Sequence, residues 1–168
     1  MSDVQGPPET EDEQQRLTST LHALDHASRL AEAAGEGIDF GTASGGPEDA
    51  RAAALCADAM QTAAAVAGEV AALPGAARIE RPREALGSAA AAVGAPATPT
   101  EDAIARLERD AKELSELRRT HRAATLSAVA NGALTAGDAI VRVDTVRTLE
   151  ALTHHAWRSA AHLVGRGG

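Results

Sequence analysis

The near absence of aromatic rings constrains this fold more than any other feature. Phe40 and Trp157 are the only Phe, Trp or Tyr residues. Hydrophobic residues still make up 44% of the 168 positions, so a core must be built from Ala, Leu and Val. Small side chains of this kind suit closely packed helices. They suit a β-sandwich badly, because strands favour aromatic and β-branched residues. No Val/Ile/Thr alternation of strand type occurs along the chain.

Apolar residues instead recur at helical spacing. Leu17, Leu21, Leu24, Ala27, Ala31 and Ala34 predict a first helix from about Thr10 to Gly35 with one apolar stripe. Residues 35–46 hold a run of glycines and read as a loop. Pro47 opens a second helix through Leu55, Met60, Ala63, Val66 and Val70, and Pro74-Gly75 stops it after Leu73. A short extra helix is expected over 85–93, then a linker over 94–98. Thr98, Pro99 and Glu101 form a T-x-x-E capping box for a third long helix. Its stripe is Ile104, Leu107, Ala111, Leu114, Leu117, His121 and Ala124, and Asn131-Gly132 ends it. Thr135, with Asp138, caps the last helix. That helix carries Ile140, Val143, Val146, Leu149, Leu152, Ala156, Ala160 and Leu163. Each stripe must be buried against others. The expected fold is therefore all-α, an up-and-down antiparallel bundle of four to five helices in one domain over 10–164. Residues 1–9 are expected to be disordered and 165–168 to form a flexible tail.

The net charge is −8. Asp3, Glu9, Glu11, Asp12 and Glu13 account for much of it, and the remainder is only mildly acidic. This balance argues against nucleic acid as a partner. Cys56 is the only cysteine, which fits a reducing cytosol. No uncharged apolar run approaches ~18 residues, so no direct membrane insertion is expected. The chain reads as cytoplasmic, peripheral at the inner membrane face, or as a cytosolic part of a membrane transporter.

Two polar pairs need a reason. L-H-A-L-D-H at 21–26 and L-E-A-L-T-H at 149–154 match as L-x-A-L-x-H. His22 with His26, and Glu150 with His154, are each one helical turn apart and on one face. If the first and last helices meet, these four residues form a candidate site for a divalent metal: zinc, iron or manganese. Asp25 and His155 compete for the inward positions. The alternative is that all of these groups are solvated at bundle edges, with Asp25 pairing Arg29. His121 lies on the stripe of the third helix and reads as a satisfied core residue. Arg118, Arg119 and Arg122 are candidates for binding an anion such as phosphate, or else form a solvated face. Trp157 is expected to anchor packing. Cys56 has no adjacent base, and no nucleophile, P-loop or dinucleotide motif is present, so no catalytic residue is assigned.

The segment R-R-T-H-R-A at 118–123, the turn at Asn131-Gly132 and the helix that follows resemble the last hairpin of PhoU-like domains. These domains occur as phosphate-uptake regulators and as cytosolic parts of sodium/phosphate cotransporters. Asp144, Arg147, Leu149, Glu150, Leu152, His155 and Ala156 fall in register with the family's hairpin. L-H-A-L-D-H-A-S-R-L-A-E resembles the matching helix of the other half. The resemblance implies an all-helical tandem repeat of three-helix units, which accounts for the repeated hexapeptide. It also implies metal ligation through an E-x-x-x-D pattern. Glu150 takes the acidic position and His154 replaces the Asp. His22 takes the Glu position of the first half, and His26 or Asp25 the Asp position. A thinned acidic cluster of this kind implies a mononuclear site or none. The function implied is a non-catalytic regulatory domain of phosphate transport whose partner is a transporter or a sensor kinase. The alternatives are a helical scaffold that homodimerises without metal, and a bundle metalloenzyme.

Overall fold

The structure, a computed structural model, describes residues 11–35, 46–72 and 98–166. Among them are four helices and no strand: α1 (Glu11–Gly35), α2 (Pro47–Ala72), α3 (Pro99–Ala130) and α4 (Ala136–Leu163). The expected short helix over 85–93, the acidic segment 1–9 and most of both connections lie outside the described residues. No described helix is long and apolar enough to cross a membrane.

Local chemistry sets the helix ends. Glu101 N–H donates to Thr98 Oγ1 at 3.2 Å, and Thr98 N–H donates to Glu101 Oε2 at 2.8 Å, completing the capping box. Asp138 N–H donates to Thr135 Oγ1 at 3.1 Å at the start of α4. Both helices end in the same way. Gly132 and Gly165 each take φ of 77°, a left-handed conformation that costs glycine little. The glycine amide and the one after it then reach back: Gly132 N–H to Val129 O and Ala133 N–H to Ala128 O. Gly165 N–H and Arg166 N–H do the same to His162 O and Ala161 O, so these two residues of the expected tail belong to the cap.

The contacts along each seam give the directions. Ser19, Ala23 and His26 of α1 meet His162, Ser159 and His155 of α4 in descending order, so this pair is antiparallel. Arg106 to Asp58 and Arg51 to Glu113 make α2 and α3 antiparallel. Glu101 to Arg166 and Arg118 to Glu150 do the same for α3 and α4. The result is an up-and-down bundle with α4 at its centre. Two apolar clusters fill it. One joins Val66, Ile104, Leu107 and Val164, with Trp157 packed against it. The other joins Cys56, Leu114, Val146, Leu149 and Leu152. Leu107 and Leu114 are fully buried, each contributing about 1.5–3 kcal/mol of transfer free energy.

The expected α1 stripe is wrong. Leu17, Leu21 and Leu24 are 50%, 57% and 61% exposed. The face turned inward runs through Ser19, Ala23, His26, Leu30 and Ala33, and the first three lie two residues beyond Leu17, Leu21 and Leu24. Two residues turn a helix by about 200°, nearly to its opposite side. The reason lies in α4, whose apolar face is already taken by α2 and α3. What remains for α1 is a face of His155, Ser159 and His162, and the small polar face of α1 fits it. Smaller errors follow the same logic. Ile140 is exposed, Thr125 rather than Ala124 is buried on α3, and Ala52, Cys56 and Ala59 lie deeper on α2 than Leu55 or Met60.

Candidate functional site

α1 packs chiefly on α4, and Ala23 is its only buried residue. Small residues let the two backbones approach closely enough for side chains to reach the opposite main chain. Ser19 Oγ donates to His162 O, and Ser159 Oγ donates to Ala23 O, both at 3.1 Å. A helical carbonyl that accepts a second donor in this way gains a neutral hydrogen bond, worth about 1 kcal/mol net.

Alongside these two hydroxyl bonds, and continuing past the second, lies a cluster of imidazoles. His26 Nδ1 and His155 Nδ1 are 3.1 Å apart. With both rings neutral, one nitrogen carries the proton and the other accepts it. The His162 ring lies parallel to that of His26, with centroids 5.6 Å apart, and stacks on His22 at 5.0 Å. His154 meets His26 edge-on at 6.2 Å and Trp157 at 5.8 Å. Five of the six histidines of the chain therefore share one seam.

Charge and burial act on the rings in the same direction. Burial holds the His26 pKa below its ordinary value, and the neighbouring His155, His162, Arg158 and His154 add to this. His155 is lowered first by burial, then by His154 and Arg29, against the opposing carboxylates Asp25 and Glu150. His162 is lowered by burial, then by Arg158 and His22. Arg158 Nη2 sits 3.2 Å from His162 Nε2, with its guanidinium 5.5 Å from the Trp157 ring centroid. His162 is 6% exposed, and its Nδ1 is buried without a hydrogen-bond partner.

The sequence-predicted residues divide. His22, His26 and the alternate His155 come together with His154 at the edge. Glu150 does not join the rings' contacts: its carboxylate lies 3.6 Å from Arg118 Nη1 on α3. Asp25 pairs with Arg29 at 2.9 Å, as its spacing predicts. The family's carboxylate pattern therefore does not fit this seam, because one acid is held by each arginine and imidazoles stand at the other positions. The basic run is also partly engaged: Arg118 holds Glu150 and Arg119 holds Glu116, while Arg122 is exposed. His121 is the expected satisfied core residue. It is 4% exposed, with Nε2 at 2.7 Å from Asp49 Oδ1. That bond ties α2 to α3, and Asp49 Oδ2 accepts from Gly46 N–H at 2.7 Å at the start of α2. The Cys56 thiol is pushed up by burial, against a hydrogen bond with Thr153, and so stays protonated.

Sequence reasoning missed His162, Ser19 and Ser159. The signal was present: His155, Ser159 and His162 stand at i, i+4 and i+7 on one face of α4. Comparison with family models, with curated proteins and with solved structures gave no match.

Proposed function

We propose that this chain is a non-catalytic regulatory domain of the PhoU-like kind, linked to phosphate transport at the cytoplasmic face of a membrane. It acts by presenting a helical face to a transporter or sensor-kinase partner. One observation carries this reading. The two segments that the resemblance treats as related copies, 21–26 and 149–154, lie on adjacent antiparallel helices and meet edge-on at His26 and His154, beside the His26–His155 contact. The outward leucines of α1 support the same reading, since large apolar side chains rimmed by Glu13, Asp25 and Arg29 are the composition of a docking face.

The test is genetic and uses the native locus. Deleting the gene changes phosphate uptake in phosphate-replete cells. A chain carrying Leu21→Glu and Leu24→Glu reproduces the deletion while keeping its helix content. Parental uptake in both strains rejects the phosphate reading. Uptake lost on deletion but normal in the double variant moves the docking face elsewhere.

A further inference from the structure

We propose that the α1–α4 seam is a binding site for one late first-row divalent cation of the zinc, nickel or copper(II) kind, held by His26 and His155 with His162 as third donor. The inference does not depend on the phosphate reading.

Three observations carry it. The first is the His26 Nδ1 to His155 Nδ1 separation of 3.1 Å. Two imidazole nitrogens on one ion, each at 2.0–2.1 Å, are separated by about 2.9 Å at a right angle and about 3.4 Å at the tetrahedral angle. The observed distance falls between them. The second is the spacing of the rings. Two such ligands place their centroids about 4.5–5.5 Å apart; His26 and His155 meet this at 5.3 Å, while His162, stacked on His26 at 5.6 Å, lies just beyond it. The third is the unsatisfied nitrogen. A buried polar atom without a partner costs about 1–3 kcal/mol, and His162 Nδ1 is one. A cation would give it the partner it lacks.

The donor set also selects the ion. Nitrogen donors suit zinc, copper and nickel, whereas manganese and magnesium prefer carboxylates. Glu150 and Asp25, the two nearby acids, are held by Arg118 and Arg29. Manganese, one of the ions expected from the mixed pairs, is therefore disfavoured. Among the described residues no three His, Cys, Asp or Glu side chains yet converge on one point. Binding thus requires a turn of the His162 ring and release of Arg158 from its Nε2, while the helices stay where they are. Binding through both Nδ1 atoms also moves the proton they share to Nε2 of its own ring, so each ligand remains a neutral imidazole and no net proton is released near pH 7.5.

The experiment uses the full chain. Zn2+ is titrated by calorimetry at pH about 7.5, where histidine is neutral. One ion per chain is expected. His26→Asn with His155→Asn lowers the affinity by at least about tenfold, with helix content checked by circular dichroism. In the wild-type chain, Zn2+ shifts the ring resonances of His26, His155 and His162 together and leaves His121 unmoved. Cu2+ bound to the same chain shows nitrogen hyperfine splitting that changes when histidine is labelled with 15N. Undiminished binding in a folded double variant overturns the site. So does a wild-type spectrum in which Zn2+ moves only the exposed His22 and His154. The wild-type spectra decide the matter should the double variant fail to fold.

Discussion

At the scale of single residues, burial and exposure in this bundle do not follow hydrophobicity alone. Leu107 sits between α2, α3 and α4 with no solvent contact. Leu21 is just as apolar and is more than half exposed. The account therefore predicts opposite outcomes for two substitutions. Leu107→Ala leaves a cavity and lowers stability by about 2–5 kcal/mol, read from the urea midpoint. Leu21→Glu stays within about 0.5 kcal/mol of the parent, because the side chain leaves no packed site. A large loss at Leu21 would mean that this leucine is buried after all. The three long-helix leucines of α1 were the plainest signal in that part of the sequence, and they misled. Periodicity shows that a helix has an apolar stripe, but what the stripe meets depends on faces offered by distant segments. Here the neighbouring face of α4 is polar.

At the scale of elements, both ends of α3 and the start of α4 were legible because capping is local, whereas the glycine cap at Gly165 was read as tail. Thr98 with Glu101, Thr135 with Asp138, and Gly132 are each read within a few residues of the turn they make. Gly132→Ala is expected to cost about 1 kcal/mol or more, since an Ala Cβ is strained at positive φ; no steric neighbour lies near enough to add to this. The α1–α4 seam was legible in part. Helical spacing identified His22 with His26, and the alternate His155, but the Arg118 that captures Glu150 arrives from α3 and has no local signature. The seam also predicts a pH response. His26, His155 and His162 are all held below the ordinary 6.5 in the folded chain. Between 6.5 and the lowered values the unfolded state binds more protons, so stability rises with pH there. The seam is at full strength above about 6.5 and weakens as pH falls below it, since burial first, and then the neighbouring rings with Arg158 and Arg29, disfavour the charged imidazoles. The amides of α1 are expected to lose hydrogen-exchange protection on acidification while those of α3 and the rest of α4 keep theirs. Simultaneous loss along all four helices would show that α1 does not respond separately.

At the scale of the whole molecule, the bundle is asymmetric. Helices α2, α3 and α4 supply the buried residues of both apolar clusters, while α1 packs Leu30 and Ala33 against one of them and otherwise meets α4 through hydroxyls, imidazoles and small side chains. Fold class was legible because an Ala/Leu/Val core with two aromatic rings leaves few other solutions. The arrangement of α1 was not, because it depends on which face of α4 remains after the core has closed. Both the proposed regulatory role and the proposed cation site rest on that arrangement: the two ends of the chain paired in antiparallel register. Cross-linking measures it most directly. In a Cys56→Ala chain, Ala23→Cys with Ser159→Cys is predicted to form an intramolecular disulfide rapidly under mild oxidation, because Ser159 already reaches the Ala23 carbonyl at 3.1 Å. Leu21→Cys with Ser159→Cys is predicted to remain reduced, since residue 21 faces away. Equal oxidation of the two pairs, or none in the first, would contradict the pairing of α1 with α4.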